Sequence, residues 1–300
     1  MKIVKLKAGL GNQMFQYAFY KLLETKYGVK DVLFDTAYFK HPYFRKYFDS
    51  GINMLAVSYH VAGKKELHAL HVPYNGFKPH RFLHRLVVAT QAVFNRRYYF
   101  ERKRDYVEIE PILRYSYFDG YWQSWRYLEP IQDVLLKEFK PKNELSAQTQ
   151  SYIDKFSSLN SVFIGIRKGD YTASTKAASH YGAPSADYYE KAIRIILNEV
   201  KDPYFVVFSD DIDWVKDHFD FKSMGIGDDR IEYRDKQTIV SNFEELFVMA
   251  SCSHAIISNS TFNFWGAWLI KNNEKVVVAP EEWFKDGKTI DIIPPTWIKI

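Results

Sequence analysis

Four short apolar runs constrain what the second half of this chain can fold into. At 162–166, 204–208, 255–257 and 275–279 the residues are mostly Val, Ile, Phe and Ala with little polar alternation. That is the pattern of strands covered on both faces. Helix-period segments lie between them: Tyr188, Tyr189, Ala192, Ile193, Ile196, Leu197 and Val200 in one, Leu246, Phe247, Met249 and Ala250 in another. Strand followed by helix, repeated, predicts a doubly wound parallel sheet.

The first half opens in the same way. "KIVKLK" reads as a strand, "AGLGNQ" as a Gly loop, and the apolar-rich stretch from Met14 to Tyr27 as a helix. Val32-Leu33-Phe34 is a second short strand closed by Asp35-Thr36, and Tyr115 to Phe118 a third, leading into "DGYWQSWRYLEP". Helix is expected near 81–94 and from Tyr127 to Phe139. Three hundred residues, 47% of them hydrophobic, exceed what one core usually holds, so two domains of about 150 residues are expected. The polar, Pro-interrupted "KPKNELSAQTQ" places the boundary near Asn143, giving domains 1–145 and 146–300.

Composition excludes several classes. Cys252 is the single cysteine, so no intrachain disulfide can form and a reducing, cytoplasmic compartment is expected. The N-terminus reads as a strand rather than a signal segment, and no apolar run approaches the roughly 20 residues that span a bilayer. The net charge of +5 is concentrated: between Lys78 and Arg104 eight Lys/Arg accompany one acid, Glu101, with Phe82, Leu83, Val87, Val88 and Phe94 interleaved. This is either a solvated surface helix or a peripheral contact with an anionic membrane face. No nucleic-acid-binding motif accompanies it, so no nucleic-acid partner is expected.

In an open parallel sheet, ligands bind outside the carboxyl ends of the strands. Each apolar run here ends in polar groups: Arg167-Lys168-Gly169-Asp170, Ser209-Asp210-Asp211, Ser258-Asn259-Ser260-Thr261, and Pro280-Glu281-Glu282. Arg167 and Lys168 beside a Gly suit a phosphate, Arg as a planar fork and Lys as a point charge; the alternative is a surface pair with Asp170. Ser209-Asp210-Asp211 suits ribose hydroxyls or base N–H groups, or else simply caps the following helix. Ser258 to Thr261 opens another helix, where hydroxyls and backbone N–H groups either hold a phosphate or cap.

"AGLGNQMFQYA", "GYWQSWRYL", "GIRKGDY", "ELFVMASCSHAIISNSTFNFWGAWL" and "VVVAPEEWF", in that order, give the chain a resemblance to the bacterial α-1,2-fucosyltransferases of glycosyltransferase family 11. The likeness runs from Ile3 to Lys299. It implies a GT-B-type α/β fold, two Rossmann-like domains facing across a cleft, with an N-terminal acceptor-side domain and a C-terminal GDP-sugar-binding domain. It also implies a galactoside α-1,2-fucosyltransferase: GDP-fucose as co-substrate, inversion at the anomeric carbon, no metal or other cofactor, and a galactose-terminated glycan or lipid-linked oligosaccharide as acceptor, as in O-antigen, capsule or oligosaccharide synthesis. By this resemblance Arg167 binds the donor diphosphate, with Asp170 the second catalytic residue. Lys168, Asp210, Asp211, Glu245, Ser260 and Thr261 lie where related enzymes hold GDP, and Asn12 and Gln13 would face the donor. Three positions depart from the family pattern: Gly165 replaces a His, Lys168 replaces an Arg, and Tyr181-Gly182 replaces a His-Gly, with His180 one position earlier.

Inverting transfer develops charge on the departing diphosphate, and a fixed arginine is the direct remedy. Asp35, Asp119 and His180 are candidate bases for the acceptor hydroxyl. Nine scattered histidines and one cysteine form no evident metal-ligand cluster. Two other readings stay open: Asp211-Ile212-Asp213 as a divalent-metal clamp on a nucleotide sugar, and a non-catalytic GDP- or glycan-binding protein.

Overall fold

The computed structural model describes residues 1–41, 44, 49–70, 97–101, 105–167, 184–235, 241–284 and 291–300. The chain divides into two compact units, Met1–Lys142 with Ile290–Ile292, and Asn143–Thr289 with Ile293–Ile300.

The first unit is a parallel sheet of β1 (Lys2–Lys5), β2 (Val32–Asp35), β3 (His60–Val61), β4 (Tyr98–Phe100) and β5 (Tyr117–Asp119), in the order β3-β2-β1-β5-β4. Helix α1 (Leu10–Thr25) returns the chain from β1 to β2, and short helices α2 (Ala37–Lys40) and α3 (Lys64–Ala69) follow β2 and β3. The aromatic content goes into this core: Tyr17, Phe19 and Tyr20 of α1 are buried with Phe34, Phe118, Trp122 and Tyr127. Phe19 stacks on Trp122 with ring centroids 3.7 Å apart. Each such ring contributes about 1.5–3 kcal/mol by leaving water. Asp291 rejoins this unit by accepting from Trp125 Nε1 at 3.1 Å and pairing with Arg126.

Helix was expected from Tyr127, but α4 begins at Gln132 and runs to Glu138. Pro130 explains the late start, because it has no N–H and restricts its predecessor; residues 125–131 instead make two short 3₁₀ turns.

The second unit contains α5 (Ala147–Ser157), β6 (Ser161–Ile166), α6 (Ala186–Glu199), β7 (Tyr204–Ser209), α7 (Ile212–His218), β8 (Ile231–Arg234), α8 (Asn242–Ala250), β9 (His254–Ile256), α9 (Thr261–Trp268), β10 (Val277–Ala279) and β11 (Ile298–Lys299). Its parallel sheet has the order β11-β10-β9-β6-β7-β8, so the winding direction reverses between β6 and β9. β6 lies at the centre and every one of its residues is buried, which accounts for its unbroken apolar run. Helix α6 starts at Ser185, whose side chain accepts from Tyr188 N, and packs Tyr188, Tyr189, Ala192, Ile193 and Ile196 on the sheet. Cys252 is also buried, and burial pushes its thiol up to about 12.

A charged pair ties β8 to α8. Arg234, fully buried, donates from Nη2 to Glu245 Oε1 at 2.6 Å and from Nε to Oε2 at 3.4 Å, with its guanidinium 3.7 Å from the Tyr152 ring centroid. Removing one partner of a buried pair strands the other charge in the interior. Glu245→Ala is therefore expected to lower unfolding stability by about 3–5 kcal/mol, read from the midpoint of urea denaturation.

Candidate functional site

The winding of the second sheet reverses between β6 and β9, and open parallel sheets bind ligands outside the carboxyl ends of the strands at such a reversal. Arg167 follows β6 directly, and Ser258, Asn259 and Ser260, all buried, follow β9. The two sides meet: Arg167 Nη1 donates to Ser260 Oγ at 3.3 Å. Ser260 precedes α9 without capping it through its side chain, so its hydroxyl serves the arginine instead.

The framework behind this contact is fixed by buried hydrogen bonds. Tyr189 donates to Gly165 O at 3.1 Å and Tyr188 to Ile257 O at 2.6 Å, anchoring the ends of β6 and β9 to α6. Asn259 Nδ2 donates to Trp283 O at 3.1 Å. Asn263, in the first turn of α9, donates to Ser258 Oγ at 2.9 Å. Its amide also fills the space over Gly165, where an added Cβ would lie 2.0 Å from Nδ2. Gly165 is thus a packing requirement of Asn263, which accounts for the missing side chain at that position.

The expected residues fare unequally. Arg167, Ser260 and Thr261 are brought together at the reversal. Asp210 is exposed just past β7, while Asp211 caps α7, its Oδ1 accepting from Trp214 N at 3.1 Å. Asp213 is exposed in the first turn of that helix. Among the described residues no group of three or more His, Cys, Asp or Glu could hold a metal ion. Both oxygens of Glu245, a residue expected near the donor, are engaged by Arg234 inside the protein. Lys168, Asp170, His180 and Tyr181 lie outside the described residues, as does the basic segment 78–104 apart from 97–101. Among the described residues no helix is long and apolar enough to cross a membrane.

In the first unit the winding reverses between β1 and β5, and polar groups again collect at the strand ends. Gln13, also expected to face the donor, is likewise engaged by the protein itself. It is fully buried, donates to Ala8 O and Asp49 O at 2.8 Å each, and accepts from Ile52 N at 3.0 Å. It therefore staples the Gly loop. Asn12 is half-buried, with Oδ1 accepting from Gln123 Nε2 at 2.6 Å. Asp35, 3% exposed, accepts from Tyr117 Oη at 2.6 Å and from Ala37 N at 2.9 Å.

Asp119 is held by Lys5 Nζ at 2.8 Å, Lys7 Nζ at 2.6 Å and Tyr98 Oη at 3.0 Å. Burial opposes its ionisation, but the two lysines outweigh burial and hold the carboxyl well below the usual range. Its oxygens are thus already engaged by two cations and a phenol, an arrangement that favours the carboxylate over its protonated form. The sequence signal for this pair is the spacing of Lys5 and Lys7, two residues apart with Leu6 between them, which an extended chain turns to one side.

Two outcomes follow from this geometry. Because the Asp119 pKa is lowered on folding, its contribution to stability is fully present above the unfolded value of about 3.9 and fades as pH falls below it. Asp119→Asn should therefore cost about 3–5 kcal/mol at pH 7 and progressively less at pH 3, compared by urea unfolding at each pH. Gly165→Ala should cost about 1–3 kcal/mol by overpacking, and less in an Asn263→Ala background, as a double-mutant cycle would measure.

Comparison with known proteins places the chain in a family. The chain is 28% identical to the O-antigen biosynthesis glycosyltransferase WbnK of Escherichia coli, over 98% of this chain and 99% of that one. It is also 28% identical to an alpha-1,2-colitosyltransferase of Escherichia coli, over 99% and 98%. Among solved structures, the GDP complex of an Arabidopsis thaliana FUT1 mutant superposes with a TM-score of 0.50 at 12% identity, covering 92% of this chain and 69% of that one. That likeness concerns the fold, which with its two Rossmann-like units is of the GT-B type. The family model described as Glycosyl transferase family 11 matches residues 1–300, and the chain belongs to that family of glycosyltransferases.

Proposed function

We propose that the protein is an inverting galactoside α-1,2-fucosyltransferase, moving fucose from GDP-fucose to the 2-hydroxyl of a galactose-terminated glycan. The observation that carries this reading is Arg167, half-buried at the reversal of the second sheet with Nη1 on Ser260 Oγ. In transfer with inversion the acceptor hydroxyl attacks the anomeric carbon from the face opposite the nucleotide. The carbon–oxygen bond to the diphosphate breaks, the hydroxyl proton passes to a base or to the departing diphosphate, and negative charge grows on the leaving GDP as the bond breaks. A guanidinium already oriented by a neighbouring hydroxyl meets that charge without reorganising. Asp210, just past β7, is a candidate partner for the nucleoside, and α9 offers its first-turn N–H groups near Ser260. Because the arginine supplies the positive charge, no metal is required in this scheme. In this reading the first unit receives the acceptor and the second the donor.

Colitose is a second candidate sugar, because the alpha-1,2-colitosyltransferase matches over nearly the whole of both chains. Incubation with GDP-fucose and with GDP-colitose, using galactose-terminated acceptors and NMR analysis of the linkage, separates the two donors.

Arg167→Ala should lower kcat by about 10²- to 10³-fold, equivalent to about 3–4 kcal/mol, with the protein still melting cooperatively. Arg167→Lys should recover only part, since a point charge does not replace the fork. Wild-type turnover in Arg167→Ala, or a loss of activity in EDTA that Mn²⁺ or Mg²⁺ restores, would overturn this account.

A further inference from the structure

The loop after β5 is held in a costly shape. Trp122 has φ 57°, in the left-handed region that a bulky residue rarely occupies, at a cost on the order of 1–3 kcal/mol. Several contacts impose it. Glu101 accepts from Tyr121 N at 2.6 Å and from Trp122 N at 3.2 Å, and the indole is stacked on Phe19 of α1. Trp122 O accepts from Ser124 N at 3.0 Å. Across the reversal of the first sheet, in the loop after β1, Ala8 is also left-handed, with φ 66°.

This shaping brings Gln123 Nε2 to Asn12 Oδ1, in the first turn of α1, at 2.6 Å, while Lys7 of the loop after β1 lies over the Tyr121 ring, 4.4 Å from its centroid. Gln123 is 3% exposed, and its Oε1 has no hydrogen-bond partner among the described residues. An unsatisfied buried carbonyl costs about 1–3 kcal/mol, a cost that an apolar residue of similar shape would avoid. The glutamine therefore needs a reason to be there, and the hydrogen bond that Nε2 donates to Asn12 provides one. A donor can pair only with the oxygen of the Asn12 carboxamide, so Gln123 fixes which end of that half-buried group faces it and leaves the Nδ2 hydrogens for another acceptor.

We propose that Gln123 is a positioning residue, locking the Asn12 carboxamide so that Nδ2 donates to an oxygen of a bound substrate. The proposal rests on the transferase reading above. The oxygen belongs to the nucleotide sugar or to the glycan acceptor, and KM values for each identify which.

Gln123→Glu is the decisive substitution. A carboxylate accepts only, so it draws Asn12 Nδ2 inward and turns Oδ1 towards the substrate oxygen, whereas Gln123→Met removes the contact and keeps the shape. Gln123→Glu should raise the KM of one substrate by about tenfold or more, Gln123→Met by less, and the other KM should stay within about twofold. Asn12→Ala should raise the same KM, and adding Gln123→Glu to Asn12→Ala should change it by less than about twofold. Independent, multiplying effects, or wild-type KM values in Gln123→Glu, would overturn the proposal while leaving the transferase reading intact. Should Gln123→Glu fail to melt cooperatively, the same cycle run with Gln123→Met decides. Absence of any sugar transfer by the wild-type protein would instead remove the transferase reading, and this inference with it.

Discussion

A parallel strand covered on both faces has no place for a polar side chain until it ends. In the second unit β6 obeys this after its first residue: Ser161 opens the strand with its hydroxyl donating to Phe156 O, Val162 to Ile166 are apolar and buried, and the first charge, Arg167, appears one residue later. The same rule sends Ser258 and Ser260 to the end of β9, beside β6 in the sheet. Chemistry is thus concentrated where the winding reverses, because the hydrogen-bonded ladder and the covering helices exclude it elsewhere.

Charges that do enter the interior are used as architecture. Arg234 and Glu245 join the edge strand β8 to α8, and Asp119 draws Lys5 and Lys7 to the end of β5. Both arrangements pair opposite charges locally, and both depend on every member being present. They resemble a ligand site in composition and differ from one in having their polar atoms engaged by the protein itself.

The central strands were legible because burial on both faces leaves an apolar run. The edge strands were not: "IEYR" of β8 is half-exposed with charges at alternate positions, and β3 and β11 are two-residue pairings with exposed side chains. Arg167 could be read from its place at a strand end. Glu245 could not be distinguished from a ligand contact, because nothing local in the sequence announces Arg234 as its partner. Gly165 is similar: its lack of a side chain makes sense only once Asn263 is seen above it. Contacts between distant segments carry no periodicity, so the half of a site that consists of partners remains hidden.

The buried state of Cys252 has a practical consequence. With its thiol pushed up to about 12 by burial, almost none of it is thiolate near neutral pH, and the surrounding core shields it from reagents. A cysteine introduced on an exposed helix face, at Lys191 for example, would be the sole reactive thiol of the folded chain. Fluorophores or spin labels could then be attached at one chosen place without first removing the native residue.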